Sequence, residues 1–201
     1  MFERDLPYYN PLWQFADFCE DSTFLHVYKN ERLHSYNYVG FFQYDMILQN
    51  SVFETIDEEL KNGQTNIVFY YHKENSYRHL NQVIGLQGWQ HIVNIYNELF
   101  ETKHALYDVL LQDITMYHCF LLPREIFRKM MLFFEKAFPS MFEMLGCKTR
   151  HLPFHLERMH GVFLILQKAE GHIAKMVQMP GLIHSDTLKD GDFKERLLAK
   201  S

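Results

Sequence analysis

The strongest constraint on the fold of this chain is a broad apolar stripe between Arg124 and Leu145. Its apolar residues recur every three or four positions, at 126, 127, 130, 131, 134, 137, 138, 141, 142 and 145, and Gly146 ends the pattern. A period of about 3.6 residues predicts one long amphipathic helix over 124–145. The phenylalanines at 133, 134, 138 and 142 follow this spacing, so we assign them to the core.

Other segments predict strands and further helices around this long helix. Strand patterns occur at 38–42, 66–71 and 116–122, and the first is continuous rather than alternating, as expected of a strand covered on both faces. Helical patterns occur at 21–30, 50–61, 75–111 and 154–168. Asp21 or Ser22 is the expected cap of the first of these helices. The strand, helix, strand order favours parallel pairing, so we predict an α/β fold with a mostly parallel sheet flanked by helices.

Length and charge limit the kind of protein that this chain can be. With 201 residues, of which 47% are hydrophobic, the chain suits one domain with a substantial core. We assign this domain to residues 1–185 and treat 186–201 as a charged C-terminal tail. A net charge of −5 provides no basic face for neutralising phosphates, so we expect no nucleic-acid partner.

No segment of the sequence predicts a membrane span or export. No window approaches the roughly 20 apolar residues of a transmembrane helix, and the opening MFERDLPYYNPLW lacks the apolar stretch of a signal peptide. We therefore expect a cytoplasmic location, with the cytosolic surface of a membrane as one place of action. Cys19, Cys119 and Cys147 are too widely spaced for a disulfide framework or a zinc motif, so we expect reduced, mostly buried thiols.

Compact catalytic motifs are absent from the sequence. The 12 histidines form no HExxH or similar spacing, so a histidine metal site is not predicted. The chain also lacks GxSxG, GxGxxG and GxxxxGK[ST], which removes the usual signals of hydrolases, Rossmann dehydrogenases and P-loop proteins. The candidate site residues are therefore single acids rather than members of a compact motif.

Asp45 is the first candidate, because it lies just beyond the carboxyl end of the predicted strand 38–42. Ligands of open α/β sheets gather at such strand ends. A carboxylate there can hold a divalent cation against a diphosphate. The plain alternative is an Asp that only forms a turn or caps a helix.

Glu157 is the second candidate, because its carboxylate interrupts a predicted helix that is otherwise mainly apolar. His160 shares its face of the helix, and we expect Gly161 to leave room there for a ligand. The alternative is a structural ion pair with Arg158 or another cation.

Four segments, in order along the chain, resemble the bacterial capsular polysaccharide and lipopolysaccharide synthesis family of GT-A-like glycosyltransferases. EDSTFLHVYKN at 20–30 is similar to the family's Glu-Leu-Thr and Trp-Lys-Asn helix, and YVGFFQY at 38–44 to its Tyr-Ile-Gly strand. HCFLLPREIF at 118–127 is similar to its following strand and helix start, and LERM at 156–159 to its Glu-Arg-Leu signature. The resemblance spans about residues 10–170, and the chain is also similar to small glycosyltransferases of large algal viruses.

The chain departs from this family at one motif that bears on metal binding. The family commonly has His-Tyr-Arg-Arg after the glycine strand, whereas this sequence has Gln43-Tyr44-Asp45-Met46. That segment looks more like the acidic metal motif of other GT-A enzymes. The resemblance therefore implies that Asp45 binds Mn²⁺ or Mg²⁺.

The resemblance implies a compact GT-A-like fold and transfer of a sugar from a nucleotide-sugar donor to a glycan or lipid-linked acceptor. Glu157 is then the general base or a ligand of the acceptor hydroxyl. The further expected residues are Lys29, Asn30, Gln43 and Tyr44 for the donor, and Arg158 and His160 as support for Glu157. Only 37 residues precede Tyr38, so the nucleotide-binding half is abbreviated. The alternative is consequently a non-catalytic carbohydrate- or partner-binding module on a degenerate GT-A frame.

Overall fold

A computed structural model describes residues 3–14, 20–30, 35–61, 63–146 and 148–185 of the chain. In these ranges the helices are α1 (Asp21–Lys29), α2 (Asn50–Leu60), α3 (Ser76–Leu80), α4 (Gly85–Phe100), α5 (Leu106–Leu110), α6 (Arg124–Leu145) and α7 (Leu152–Ala169). The strands are β1 (Tyr38–Phe41), β2 (Met46–Leu48), β3 (Ile67–Asn75), β4 (Asp113–Pro123), β5 (Lys175–Gln178) and β6 (Leu182–His184). The predicted tail 186–201 lies outside the described residues, as do Cys19 and Cys147.

The α/β fold class is confirmed, but the mostly parallel sheet is wrong. The four-stranded sheet has the order β1-β4-β3-β5. β4 pairs antiparallel with both β1 and β3, and only the β3–β5 pair is parallel. β1 and β3 do run in the same direction, as the strand, helix, strand order predicts. β4 lies between them, however, and local sequence patterns do not identify a strand's neighbours.

Most predicted elements are present, with different bounds. α6 spans the predicted 124–145, and α7 starts at Leu152 rather than at 154. β3 and β4 are longer than predicted, while the short strands β2, β5 and β6 were not predicted. Phe133 and Phe134 are buried as expected, but Phe142 is 47% exposed. Among the described residues, no helix combines the length and apolar character needed to cross a membrane.

Helix α7 packs closely against β4 at Gly161. A Cβ atom added there would lie 2.3 Å from Cγ1 of Ile114 and 2.9 Å from the carbonyl oxygen of Thr115. Only glycine permits so close an approach of helix and strand. The expectation that Gly161 leaves room for a ligand is therefore wrong, because β4 fills that space.

A bulge interrupts β4 at the level of this contact. The pairing register between β3 and β4 shifts between Tyr70 and His72. On β4, Tyr117 and His118 have positive φ angles of 74° and 45°, which residues other than glycine rarely adopt. A bulge of this kind turns backbone and side-chain groups out of the regular sheet pattern and is frequent beside functional sites.

Candidate functional site

Glu157 of α7 is bonded to the bulge of β4. The backbone N–H of Tyr117 donates a hydrogen bond to Oε1 of the half-buried Glu157. The carboxylate thus gives a partner to an amide at the irregular part of the strand. Arg158 points elsewhere: its guanidinium donates to the carbonyl oxygen of Phe154 at 2.8 Å and to Oε1 of Gln82 at 3.4 Å. Glu157 is therefore held by the backbone rather than by its neighbouring arginine.

Asp45 lies in the turn between β1 and β2. Its Oδ2 atom is 3.1 Å from Nε2 of His184 in β6, and its backbone carbonyl accepts a hydrogen bond of 2.9 Å from the amide of Ser185. The other carboxylate oxygen, Oδ1, is buried and has no hydrogen-bond partner within the described part of the chain. One oxygen of this side chain is therefore engaged and the other is not.

Tyr117 contacts Glu157 directly and lies next to His184, the partner of Asp45. Its amide binds Glu157, and its ring packs 5.5 Å, centroid to centroid, from the ring of His184, the partner of Asp45. Glu157 and Asp45, which are far apart in sequence, thus reach the same section of the sheet. This is the arrangement expected of two groups that share a site, although their roles stay predictions.

Cys119 lies two residues after Tyr117 in β4. The pKa of its thiol is affected by the carboxylates near this section of the sheet. Its Sγ atom accepts a hydrogen bond of 3.4 Å from the amide of Gln43. Burial raises the pKa of the Cys119 thiol to about 12, and the charges of Asp45, Glu20 and Glu157 add to that rise. Cys119 is a buried free cysteine, as predicted.

The predicted donor residues lie in varied environments. Lys29 forms an ion pair with Glu135. Asn30 is 4% exposed, and its amide binds the backbone of Tyr8 in both directions at 3.0 and 2.8 Å. Tyr44 is 94% exposed in the same turn as Asp45. No contact with a donor follows from these positions, so donor binding by these residues stays a prediction.

A buried polar cluster, formed by Asp21, His118 and His160, lies between α1, the β4 bulge and α7. Oδ1 of Asp21 is 3.3 Å from Nε2 of His160, and Oδ2 is 3.6 Å from Nε2 of His118. All three side chains are at most 5% exposed. One potential ligand atom from each residue lies within 4.8 Å of the other two, so the group has the composition and spacing of a metal site.

The charge states of this cluster follow from its burial and its neighbours. Burial raises the pKa of Asp21 to about 7. For His118, burial lowers the pKa, but the nearby carboxylates of Asp21, Glu20 and Glu157 outweigh it and raise the value to about 9. Burial and the charge of His118 hold the pKa of His160 well below its usual range. In the absence of a ligand, His118 is the charged imidazole and His160 the neutral one.

Sequence reasoning missed Asp21 and His118 as members of a site. Asp21 is at the start of α1, where a carboxylate is expected to act as a cap, but Glu20 occupies the cap position and Asp21 is fully buried. The available signal was His118, a titratable residue inside the apolar strand 116–122. His160 was predicted only as a support for Glu157.

Two surface clefts lie away from these residues. The larger, of about 590 Å³, is lined by residues at the opposite end of β1 and β4, including Tyr36, Asn66 and Arg124. The smaller, of about 400 Å³, is lined by residues that include Lys73 and Lys168. Neither is lined by Asp45, Glu157 or the buried cluster. We therefore place the candidate site by its chemistry rather than by the size of a cleft.

Comparison with known proteins relates the fold to a glycosyltransferase. No protein-family model matches the chain, and no curated protein matches it. The structure is similar to the apo structure of the bifunctional glycosyltransferase WbbM, with a TM-score of 0.56 and 15% sequence identity. The match covers 82% of this chain and 36% of that one, so this chain spans about a third of the larger protein. The chain thus has a GT-A-like α/β fold, similar to part of a glycosyltransferase.

Proposed function

We propose that this chain is a glycosyltransferase that moves a sugar from a nucleotide-sugar donor to a hydroxyl group of a glycan or lipid-linked acceptor. The proposal rests on Glu157 bonded to Tyr117 and on Asp45 paired with His184, whose ring packs on that of Tyr117, within a fold similar to that of a glycosyltransferase. Asp45 follows the carboxyl end of β1, where open α/β sheets bind ligands. The sequence resemblance favours a role in capsular polysaccharide, lipopolysaccharide or related glycoconjugate synthesis, on the cytoplasmic side of a membrane.

Asp45 is the proposed ligand of a divalent cation, Mn²⁺ or Mg²⁺. Its buried Oδ1 atom has no hydrogen-bond partner among the described residues, so it remains available to a ligand. Both ions prefer oxygen ligands of this kind. When bound, such a cation would neutralise the charge that develops on the leaving nucleotide. Asp45 should therefore matter most for binding the donor.

Glu157 is proposed to act on the acceptor. The hydrogen bond from Tyr117 fixes one carboxylate oxygen, and the second oxygen can accept a proton from the attacking hydroxyl or hold it in line. Arg158 bonds Phe154 and Gln82 and His160 faces Asp21, so both are proposed to support Glu157 only indirectly, through the placement of helix α7. Glu157 should therefore affect turnover more than donor binding.

Lys29, Asn30, Gln43 and Tyr44 are the proposed donor contacts. Tyr44 is the most accessible of them, so its ring can stack on a base or sugar. The amide of Asn30 is already bonded to Tyr8 and to the carbonyl of His26, so Asn30 would act by holding the neighbouring backbone in place.

The first prediction tests donor, metal and carboxylates together. Thermal-shift and hydrolysis assays with UDP-, GDP- and dTDP-sugars, with and without Mn²⁺, should identify one donor that raises Tm only with the metal. Asp45→Asn should lose this shift, because it loses the metal-binding charge. Asp57→Asn, which changes an exposed acid on α2, is the matched control and should retain it.

In the same assays, Glu157→Gln distinguishes an effect on turnover from an effect on folding or donor binding. The amide oxygen can still accept the hydrogen bond from Tyr117, so the variant should fold and bind the donor normally. Its turnover should fall by about 10²- to 10⁴-fold, the usual contribution of a general base. If no donor stabilises the wild type, the transferase assignment is wrong.

A carbohydrate- or partner-binding module without catalysis is the second candidate. Asp45 already contacts His184 and Glu157 is already bonded to Tyr117, so both acids have structural partners. The chain also spans only part of the glycosyltransferase that it matches. In this case glycans alone would raise Tm, without nucleotide or metal, and no donor would be hydrolysed.

A further inference from the structure

The buried cluster of Asp21, His118 and His160 has hydrogen-bonding capacity that the protein does not use. Both carboxylate oxygens of Asp21, Nε2 of His118 and both ring nitrogens of His160 are buried without a hydrogen-bond partner in the described residues. Buried polar atoms of folded proteins nearly always have a partner, because leaving one unpaired is costly. Five such atoms in one place therefore indicate a ligand.

The geometry of the cluster suits a metal ion. Two ligand atoms of a tetrahedral zinc ion lie about 3.3 Å apart, since zinc–nitrogen and zinc–oxygen bonds are roughly 2.0–2.1 Å long. The two carboxylate-to-imidazole distances are 3.3 and 3.6 Å, and all three ligand atoms lie within 4.8 Å of one another.

The kind of ligand selects the kind of metal. Imidazole nitrogen suits zinc and neighbouring transition metals, whereas Mg²⁺ and Ca²⁺ prefer oxygen ligands. Two histidines and one aspartate therefore favour Zn²⁺. Three protein ligands also leave one position of a tetrahedral ion for a small ligand such as water.

The surroundings of the cluster support the same conclusion. Nδ1 of His118 faces Oε2 of Glu20 at 3.8 Å, while its Nε2 faces Asp21. A carboxylate behind a histidine is the usual outer partner of a metal ligand, and it offsets the remaining positive charge. The rings of Phe24, Phe120 and Phe134 lie within 6.1 Å of the His160 ring, so the group is enclosed by apolar surface.

We propose that Asp21, His118 and His160 bind one Zn²⁺ ion per chain, at a site distinct from the cation proposed at Asp45. The ion joins α1, the β4 bulge and α7, which belong to separate parts of the sequence. His118 is itself one of the two bulge residues with positive φ, so the ion holds the strand in that conformation. It thereby also fixes Tyr117, the residue that binds Glu157.

The second prediction is a zinc-dependent stability that involves no nucleotide sugar. The purified chain should contain about one zinc ion, measured by inductively coupled plasma mass spectrometry. Removing it with a chelator should lower Tm by about 5 to 10 °C, the shift expected for an ion present at roughly 100 times its Kd. Zn²⁺ should restore Tm, and equal concentrations of Mg²⁺ or Mn²⁺ should not.

Single-residue variants test which side chains bind the ion. Chelator-treated wild type should develop the visible absorption of tetrahedral Co²⁺ on cobalt addition, and Asp21→Asn and His160→Gln should lose that absorption. Asp45→Asn is the matched control and should keep it, because Asp45 belongs to the other proposed site. These readouts are independent of glycosyl transfer, so failure of either proposal leaves the other standing.

Three results would overturn the zinc site. The first is a wild type that contains no zinc and gains neither Co²⁺ absorption nor a higher Tm from added ions. The second is an absorption lost in Asp45→Asn but kept in His160→Gln. If the cluster variants do not fold, X-ray absorption at the zinc edge of the wild type decides: two imidazoles confirm the site, and sulfur ligands or a lack of imidazoles contradict it.

Discussion

His160 and Gln167 are two of the buried polar residues of helix α7, about two turns apart, and their surroundings differ in one important respect. Around Gln167 the polar atoms mostly bond one another, whereas around His160 they do not. Gln167 and His160 themselves are both at most 1% exposed. A buried group that the protein itself satisfies is explained by the fold, while one that it leaves unsatisfied points to something that binds there.

The Gln167 cluster is a hydrogen-bonded network. The hydroxyl of Tyr96 donates to Oε1 of Glu170 at 2.6 Å and accepts a hydrogen bond from Nε2 of Gln167. Nε2 of His104 lies 3.0 Å from the same Glu170 oxygen. Only Oε1 of Gln167 lacks a partner among the described members of this cluster. The network joins α4 to α7 and needs no ligand.

The third prediction has the largest effect, and it concerns Asp21. In chelator-treated protein at pH 8, Asp21→Ala should lower the free energy of unfolding by about 3 to 5 kcal/mol, because it leaves the positive charge of His118 buried without its partner. Urea unfolding measures this loss. Asp57→Ala, an exposed acid, should change stability by less than about 0.5 kcal/mol. A similarly small change in Asp21→Ala would show that the cluster carries no paired charge.

The fourth prediction compares the two clusters directly, again in chelator-treated protein. Gln167→Leu should cost about 1 to 3 kcal/mol, because Tyr96 and Glu170 lose a buried donor. His160→Leu should cost less than about 1 kcal/mol, because this histidine makes no hydrogen bond with any described residue and lies among aromatic rings. Urea unfolding measures both values. A larger loss of stability in His160→Leu than in Gln167→Leu would contradict the difference between the two clusters.

The fifth prediction has the smallest effect. It concerns the free energy of unfolding at alkaline pH, which depends on Tyr96 in the Gln167 cluster. Burial, and then the hydrogen bond to Glu170, raise the pKa of Tyr96 above its ordinary value. Above pH 10 the unfolded chain loses the phenolic proton while the folded chain keeps it, so stability falls as pH rises. The advantage of the wild type over Tyr96→Phe should shrink by about 1.4 kcal/mol per pH unit there. Urea unfolding between pH 9 and 11 tests this, and a constant difference would mean that Tyr96 ionises normally.

The elements were largely predictable from the sequence, since helical periodicity is a local property. The apolar stripe predicted both ends of α6 correctly, and the predicted end of α2 differs from the observed one by one residue. Strands β2, β5 and β6 were missed because three or four residues carry little pattern, whereas the equally short β1 was found because its apolar run continues into Phe42. The antiparallel place of β4 between β1 and β3 was also missed, because pairing depends on residues far apart in the chain.

The candidate site was predictable only in part. Asp45 and Glu157 stood out as acids in unusual local positions, and the fold bonds Glu157 to Tyr117 and pairs Asp45 with His184, whose ring packs on that of Tyr117. The local sequence gave no sign of the bulge at Tyr117 and His118, because neither of these residues with positive φ is a glycine. Asp21 looked like a helix cap, and its burial arises only when α1 meets β4 and α7.

The sequence by itself determined most of the segments that become helices and strands, and it set the net charge of −5. These properties depend on spacing along the chain and on composition. The tertiary structure alone decided the neighbours of β4, the close contact at Gly161 and the meeting of Asp21 with two histidines. Those features require atoms from distant segments to occupy one place, and only packing against common neighbours brings them there.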